Sequence, residues 1–174
     1  MQIEQAIKLI KDPFLSGTSK MVWADLGCGS GIFTHALAQL LPVGSIIYAI
    51  DKDLHRFGNI AGKIQVRIEK VNADFITDTL SLDRLDGILM ANSLHFVLDK
   101  PAFLEKWSTF FKQQETYLTV EYDTDVGNPW VPYPVSFFSL ERLFVNLGCK
   151  FIRKIHEIPS RYNQGNIYSV LVKR

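Results

Sequence analysis

The chain has 174 residues, of which 47% are hydrophobic and 21% charged, with a formal net charge of +1. That length suits one domain with a proper core, and the composition excludes a disordered chain. A charge so close to neutral, without a basic run, argues against a nucleic-acid partner, which would ask for a basic stripe. Residues 2–11 are predicted to form a helix with Ile3, Ala6, Ile7 and Ile10 on its apolar face. Residues 1–20 thus form a short helical extension ahead of a single domain over 21–174. Glu4 and Lys8 interrupt the apolar stretch, so no signal peptide is expected.

The next segment is the most informative. Val22-Trp23-Ala24-Asp25-Leu26 reads as a buried strand (21–26), followed by Gly27-Cys28-Gly29-Ser30-Gly31 and a helix from Ile32 to about residue 41. A turn this tight needs glycines, because the backbone takes φ values other residues avoid and a ligand must approach without meeting a Cβ. The helix beyond it presents unpaired N–H groups, which suit a carboxylate or phosphate. The dinucleotide pattern G-x-G-x-x-G is not met, because Ile32 stands at the position of its third glycine.

Ser45 to Ile50 is apolar and β-branched, read as a second strand (45–50), with Asp51 at its end and Lys52 after it. Twenty positions separate Gly31 from Asp51, enough for a helix and a return strand. An acidic residue there accepts hydrogen bonds from ribose hydroxyls, or alternatively caps a helix predicted at 53–61, for which Asp53 competes. A third strand (65–71) alternates apolar and charged residues and leads into Asn72-Ala73-Asp74-Phe75, with a helical turn expected near Asp78 to Leu82. Ile88 to Ala91 reads as a central strand (86–91), apolar without alternation, with Asn92, Ser93 and His95 at its carboxyl end.

The remaining elements are a helix at 101–112, strands at 116–122, 150–157 and 166–173, and a helix at 136–147. Alternating strands and helices imply a parallel sheet with right-handed crossovers. The last two strands are joined by a Pro/Asn/Gly segment without a helix, which signals an antiparallel hairpin. Glu121, Tyr122 and Asp123 end the fifth strand. The loop 127–134 beyond it carries three prolines together with Trp130 and Tyr133, aromatic surface suited to stacking on a flat or cationic acceptor. The bland alternative is that Trp130 packs on the last helix. Cys28 and Cys149 fall in separate elements, as unpaired thiols of a reducing cytoplasm do. No His/Cys/carboxylate cluster has metal-ligand spacing, and no apolar run approaches the roughly 20 residues of a membrane span.

Asp25 followed by Gly27, Gly29 and Gly31 resembles the first signature of class I S-adenosylmethionine-dependent methyltransferases, of the small-molecule type. The resemblance extends from about Val22 to Arg174 and implies a Rossmann-like, doubly wound α/β fold. Its sheet would have seven strands, mostly parallel, with a C-terminal antiparallel hairpin. It implies S-adenosylmethionine as cofactor, with Asp25 near the methionine ammonium, Asp74 at the adenine amino group and Phe75 over the ring. Charge agrees, since a carboxylate at Asp25 would attract an ammonium and repel a pyrophosphate. Gly27, Cys28, Gly29, Gly31, Asp51, Lys52, Asn92 and Ser93 complete the expected cofactor residues. His95 is the candidate base, and His95, Tyr122, Trp130 and Tyr133 are the candidate acceptor contacts.

The resemblance also excludes. Ala91-Asn92-Ser93-Leu94 stands where amino-methylating nucleic-acid enzymes carry Asn/Asp-Pro-Pro-Tyr/Phe, and no Pro-Cys pair follows the strand. The short N-terminal segment leaves no room for a helical cap, so an open acceptor site is expected, closed by the first helix, by the loop 127–134 or by a dimer mate. The expected activity is methyl transfer to a small molecule. The alternatives are a non-catalytic adenosylmethionine-binding or interaction module on the same fold, and a nicotinamide-dependent oxidoreductase.

Overall fold

A computed structural model describes residues 1–58, 65–82, 84–160 and 165–174. The strands are β1 (Val22–Leu26), β2 (Ile46–Asp51), β3 (Arg67–Asn72), β4 (Gly87–Ala91), β5 (Thr116–Tyr122), β6 (Phe151–Pro159) and β7 (Asn166–Lys173). They form one seven-stranded sheet in the order β3-β2-β1-β4-β5-β7-β6. β1 to β5 pair in parallel, and β7 runs antiparallel between β5 and β6. This is the doubly wound, Rossmann-like sheet with a terminal antiparallel pair that the sequence implies. The order reverses direction at β1 and β4, which opens a crevice at the carboxyl ends of those strands.

The α-helices are α1 (Ile3–Ile10), α2 (Ile32–Leu40), α3 (Lys100–Ser108) and α4 (Phe137–Asn146). Side chains alternate across the sheet, so each central strand feeds two apolar layers. Trp23, Ile47, Leu89 and Leu118 pack in one layer with Ala6, Leu9 and Ile10 of α1 and Ala36 and Leu37 of α2. Ala24, Ile50, Ile88 and Tyr117 pack in the other with Phe103 and Trp107 of α3 and Leu140 and Phe144 of α4. The N-terminal segment is therefore part of the main core. The Ser169 hydroxyl of β7 donates to the Leu9 carbonyl, and buried Asp12 pairs with Arg153 of β6.

Three predicted elements differ. Residues 53–58 form turns instead of the start of a helix, and 59–61 lie outside the described residues. Asp51 accepts from the Asp53 N–H (2.9 Å) and Asp53 from the His55 N–H (3.2 Å), local bonds that compete with a helical ladder. The turn expected at Asp78 sits earlier, because the Asp78 N–H bonds to the Asp74 carbonyl (2.9 Å) and its carboxylate accepts from the Asp74 N–H (2.9 Å). α3 stops at Ser108 because Phe110 and Lys112 leave the helix to bond the backbone of Leu85 (2.8 and 3.0 Å). Short 3-10 turns at Pro13–Ser16 and Leu94–Phe96 carried no strong sequence signal.

Gly87 in β4 lies flat against Trp23, where a Cβ would approach the indole to 2.4 Å. Trp23 is fully buried and has nowhere to shift. Gly87→Ala should therefore lower stability by about 1–3 kcal/mol, the cost of overpacking a filled core, as measured by urea unfolding.

Candidate active site

The β1–α2 turn is shaped by backbone constraint. Gly27, Gly29 and Gly31 have φ of +75°, +52° and +83°, the left-handed region that glycine occupies without strain. A Cβ on Gly27 would meet Ser93 Cβ at 2.7 Å and Phe75 at 3.1 Å, so the loop lies directly against the β4 end. Around Gly29 there is open space, and its N–H donates to Asp51 Oδ2 (2.9 Å). A cavity of about 610 Å³ opens here at the carboxyl ends of the strands, a volume usual for a small-ligand site.

Most of the predicted cofactor residues line this cavity. Gly27, Cys28 and Gly29 form its floor, with Asp51 and Lys52 at the β2 end. Asp74 and Phe75 contribute from the β3 end, and Asn92 and Ser93 from the β4 end. Met1, Ile32, Phe33, Ile76 and Phe96 add apolar wall that the motifs did not single out. Of these, Ile32 and Phe33 could have been found, since they begin the helix on which the loop ends. Met1, ahead of α1, borders the cavity, whereas no residue of α1 and none of residues 127–134 lines it.

Two motif residues act from behind the wall. Gly31 caps α2 and receives the Phe57 ring, which a Cβ would meet at 2.8 Å. Asp25 is 1% exposed on the α2 side of the sheet, its Oδ2 accepting from the Thr34 hydroxyl (2.6 Å) and its Oδ1 without a hydrogen-bond partner. Burial, only partly offset by Thr34 and reinforced by Asp51, pushes its carboxyl up to about 7. Burial likewise pushes the Cys28 thiol far up, so it is no nucleophile at neutral pH.

Of the other buried polar atoms without partners among the described residues, two belong to the cavity wall, Asn92 Oδ1 and Ser93 Oγ. Among the described residues Asn92 alone of the non-glycines has positive φ, at +55°. A left-handed non-glycine backbone and unpartnered polar atoms thus gather beside the glycine floor, where a ligand bearing hydrogen-bonding groups would meet them. A cationic N–H donor would satisfy the acceptors and stabilise the Asp25 carboxylate across the loop. Asp51 accepts one N–H on each oxygen and retains lone pairs for hydroxyls.

The predicted acceptor residues are placed differently. His95 is 3% exposed and does not line the cavity; its Nδ1 lies 2.6 Å from Glu121 Oε2, and its ring packs on Phe96 at 4.4 Å. Tyr122 stands 6.1 Å from the His95 ring, and the Tyr133 N–H bonds to the His95 carbonyl (2.9 Å). Tyr122 and Tyr133 thus gather around His95, which is itself held by Glu121 behind Phe96. Trp130 is 81% exposed, which removes the alternative that it packs on the last helix, and it too lies outside the cavity wall.

The Asp25 carboxyl keeps its proton in the folded chain to a higher pH than in the unfolded chain. Stability should therefore fall as pH rises from about 4 to about 7, by an amount on the order of 4 kcal/mol. Asp25→Asn removes that slope. Thermal melts at pH 5 and pH 8 should show the variant gaining on the wild-type protein at the higher pH; a gap independent of pH would refute a buried, ionising Asp25.

Solved structures share this fold across nearly the whole chain. A SAM-dependent methyltransferase from Aquifex aeolicus is 18% identical, with 99% of this chain and 98% of that one covered, at a TM-score of 0.61. The 1,6-didemethyltoxoflavin-N1-methyltransferase of Burkholderia thailandensis, with 1,6-didemethyltoxoflavin and S-adenosylhomocysteine bound, is 15% identical at 0.70, covering 99% and 77%. Magnesium protoporphyrin IX methyltransferase from Synechocystis, with SAM bound, is 13% identical at 0.59, covering 97% and 77%. No curated protein matches the sequence. The sequence model of the methyltransferase domain matches residues 24–117, more than half of the chain and all of the cavity's strand ends. A match of that extent is a family assignment: the chain belongs to the methyltransferase domain family, and its cofactor is S-adenosylmethionine.

Proposed function

We propose that this protein transfers the methyl group of S-adenosylmethionine to a small-molecule acceptor. The observation that carries the reading is the set of orphaned buried atoms, Asp25 Oδ1, Asn92 Oδ1 and Ser93 Oγ, around a glycine floor that admits a ligand. The cofactor's amino-acid end brings the ammonium such atoms call for, whereas a dinucleotide would bring a pyrophosphate against Asp25. When bound, the cofactor supplies a methyl group already activated by a positively charged sulfur. The chain's own task is then alignment, which can supply a large part of the rate by entropy alone.

The residues divide that task. Asp51 would take the ribose hydroxyls, Lys52 and Cys28 would border them, and Phe75 with Asp74 would take the adenine. Gly27 and Gly29 let the ligand lie on the backbone, and Ile32, Phe33 and Phe96 exclude water beside it. Phe96 is 48% exposed, and with the exposed Tyr133 and Trp130 it offers aromatic surface for an acceptor, with Tyr122 behind it near His95. Two of the similar structures are named for small-molecule acceptors, which supports the same class here. His95 is buried behind Phe96, so its part is to hold the wall, and the acceptor must arrive with its nucleophilic atom ready. Buried, unpaired Cys28 and Cys149 favour a cytoplasmic setting, and among the described residues no helix is long and apolar enough to cross a membrane.

Calorimetric titration with S-adenosylmethionine, S-adenosylhomocysteine and NAD in parallel tests the reading. Micromolar binding of the two adenosyl ligands without NAD binding is expected; binding of neither would overturn it. Asp51→Ala should weaken S-adenosylhomocysteine by at least a few-fold, the value of one or two hydroxyl hydrogen bonds, and unchanged affinity would remove Asp51 from the ribose.

A further inference from the structure

Glu121 ends β5 as a fully buried carboxylate that the functional reading leaves unused. Its Oε1 accepts from the backbone N–H groups of Ser93 (3.1 Å) and His95 (3.3 Å), and its Oε2 meets His95 Nδ1 at 2.6 Å. All three contacts fall on the short turn Leu94–Phe96 and its cap. A carboxylate only accepts, so opposite the Glu121 carboxylate it is His95 Nδ1 that donates.

Ser93 is the N-cap of that turn, yet its hydroxyl makes no capping bond. A serine at this position ordinarily accepts from the N–H groups it precedes. Here Glu121 reaches across from the neighbouring strand and accepts from the Ser93 and His95 N–H groups. The consequence is visible in what remains free. Ser93 Oγ is buried, without a partner, on the cavity wall, and so is Asn92 Oδ1, carried by a backbone at φ +55°. The other side of the turn is fixed as well, since the Tyr133 N–H holds the His95 carbonyl and Lys100 Nζ donates to the carbonyls of Val97 (3.0 Å) and Tyr133 (2.7 Å).

We propose that Glu121 is a positioning residue for the amino-acid end of the cofactor: by capping the 94–96 turn from β5, it releases Ser93 Oγ, beside Asn92 Oδ1, to receive that end. The inference rests on the reading that the amino-acid end lies at the β4 terminus. The ammonium and carboxylate of that end are the donors and acceptors the two side chains lack. His95 serves as the strut that keeps the Glu121 carboxylate aimed at the turn.

The test compares two ligands, S-adenosylhomocysteine and 5′-methylthioadenosine, which shares the adenosine and sulfur but lacks the amino-acid group. Glu121→Ala should weaken S-adenosylhomocysteine by about tenfold or more, while methylthioadenosine stays within roughly two-fold. Glu121→Gln, whose amide oxygen still accepts both N–H groups, should bind both ligands nearly as the wild-type protein does. Ser93→Ala leaves the cap in place and should reproduce the selective loss, which decides the matter should Glu121→Ala fail to fold. Equal loss of both ligands in Glu121→Ala, or no loss in Ser93→Ala, overturns the proposal by reducing Glu121 to a general structural role. A wild-type protein that binds methylthioadenosine as tightly as S-adenosylhomocysteine overturns the placement of the amino-acid end itself.

Discussion

Between β1 and α2 the chain has five residues in which to leave the sheet, turn and begin a helix, and three of them take positive φ. Everything about the cavity depends on this turn. It brings the Gly29 N–H to Asp51 and lays Gly27 against Ser93 and Phe75, so the ends of β1, β2 and β4 share one surface. It also places Asp25 under the first turn of α2, where Thr34 satisfies one oxygen and nothing satisfies the other. A buried acceptor left unpaired costs about 1–3 kcal/mol, a penalty that the packing of the turn has to offset.

The sheet order then decides what meets at that surface. β1 sits between β2 and β4, and the crossovers diverge from it in opposite directions, so no helix covers the strand ends there. α3 and α4 pack one face, and α1 and α2 the other. The short N-terminal segment belongs to the second layer through Ala6, Leu9, Ile10 and Leu15. It borders the cavity with Met1 and does not cap it as a separate element.

Strands and the glycine turn were legible in the sequence because their signals are local. Apolar, β-branched runs and left-handed glycines mean the same thing in most surroundings. The segment after Asp51 misled because helical spacing there competes with Asp51 and Asp53 side chains that capture nearby N–H groups. α3 was read too long because its ending depends on a backbone pairing with Leu85, distant in sequence. For the site, the residues expected from the loop and strand ends line the cavity, which is as much as spacing can place. Asp25, Gly31 and His95 do not line the cavity and stand behind its wall, since a motif fixes which strand end a residue occupies and not whether it faces the cavity or the core behind it.

By itself the sequence determined the seven-stranded, mostly parallel sheet, the glycine turn and the acidic residues at successive strand ends. These follow from local backbone preference and from side-chain periodicity, and together they specify the family and its cofactor. Tertiary structure alone decided that Glu121 meets the Ser93–His95 turn, that Phe96 stands in front of His95, and that Trp130 is left in solvent. Such outcomes depend on contacts between segments far apart in the chain, here 28 residues between Ser93 and Glu121. They are settled by which buried polar group finds a partner, a question that packing answers and spacing cannot.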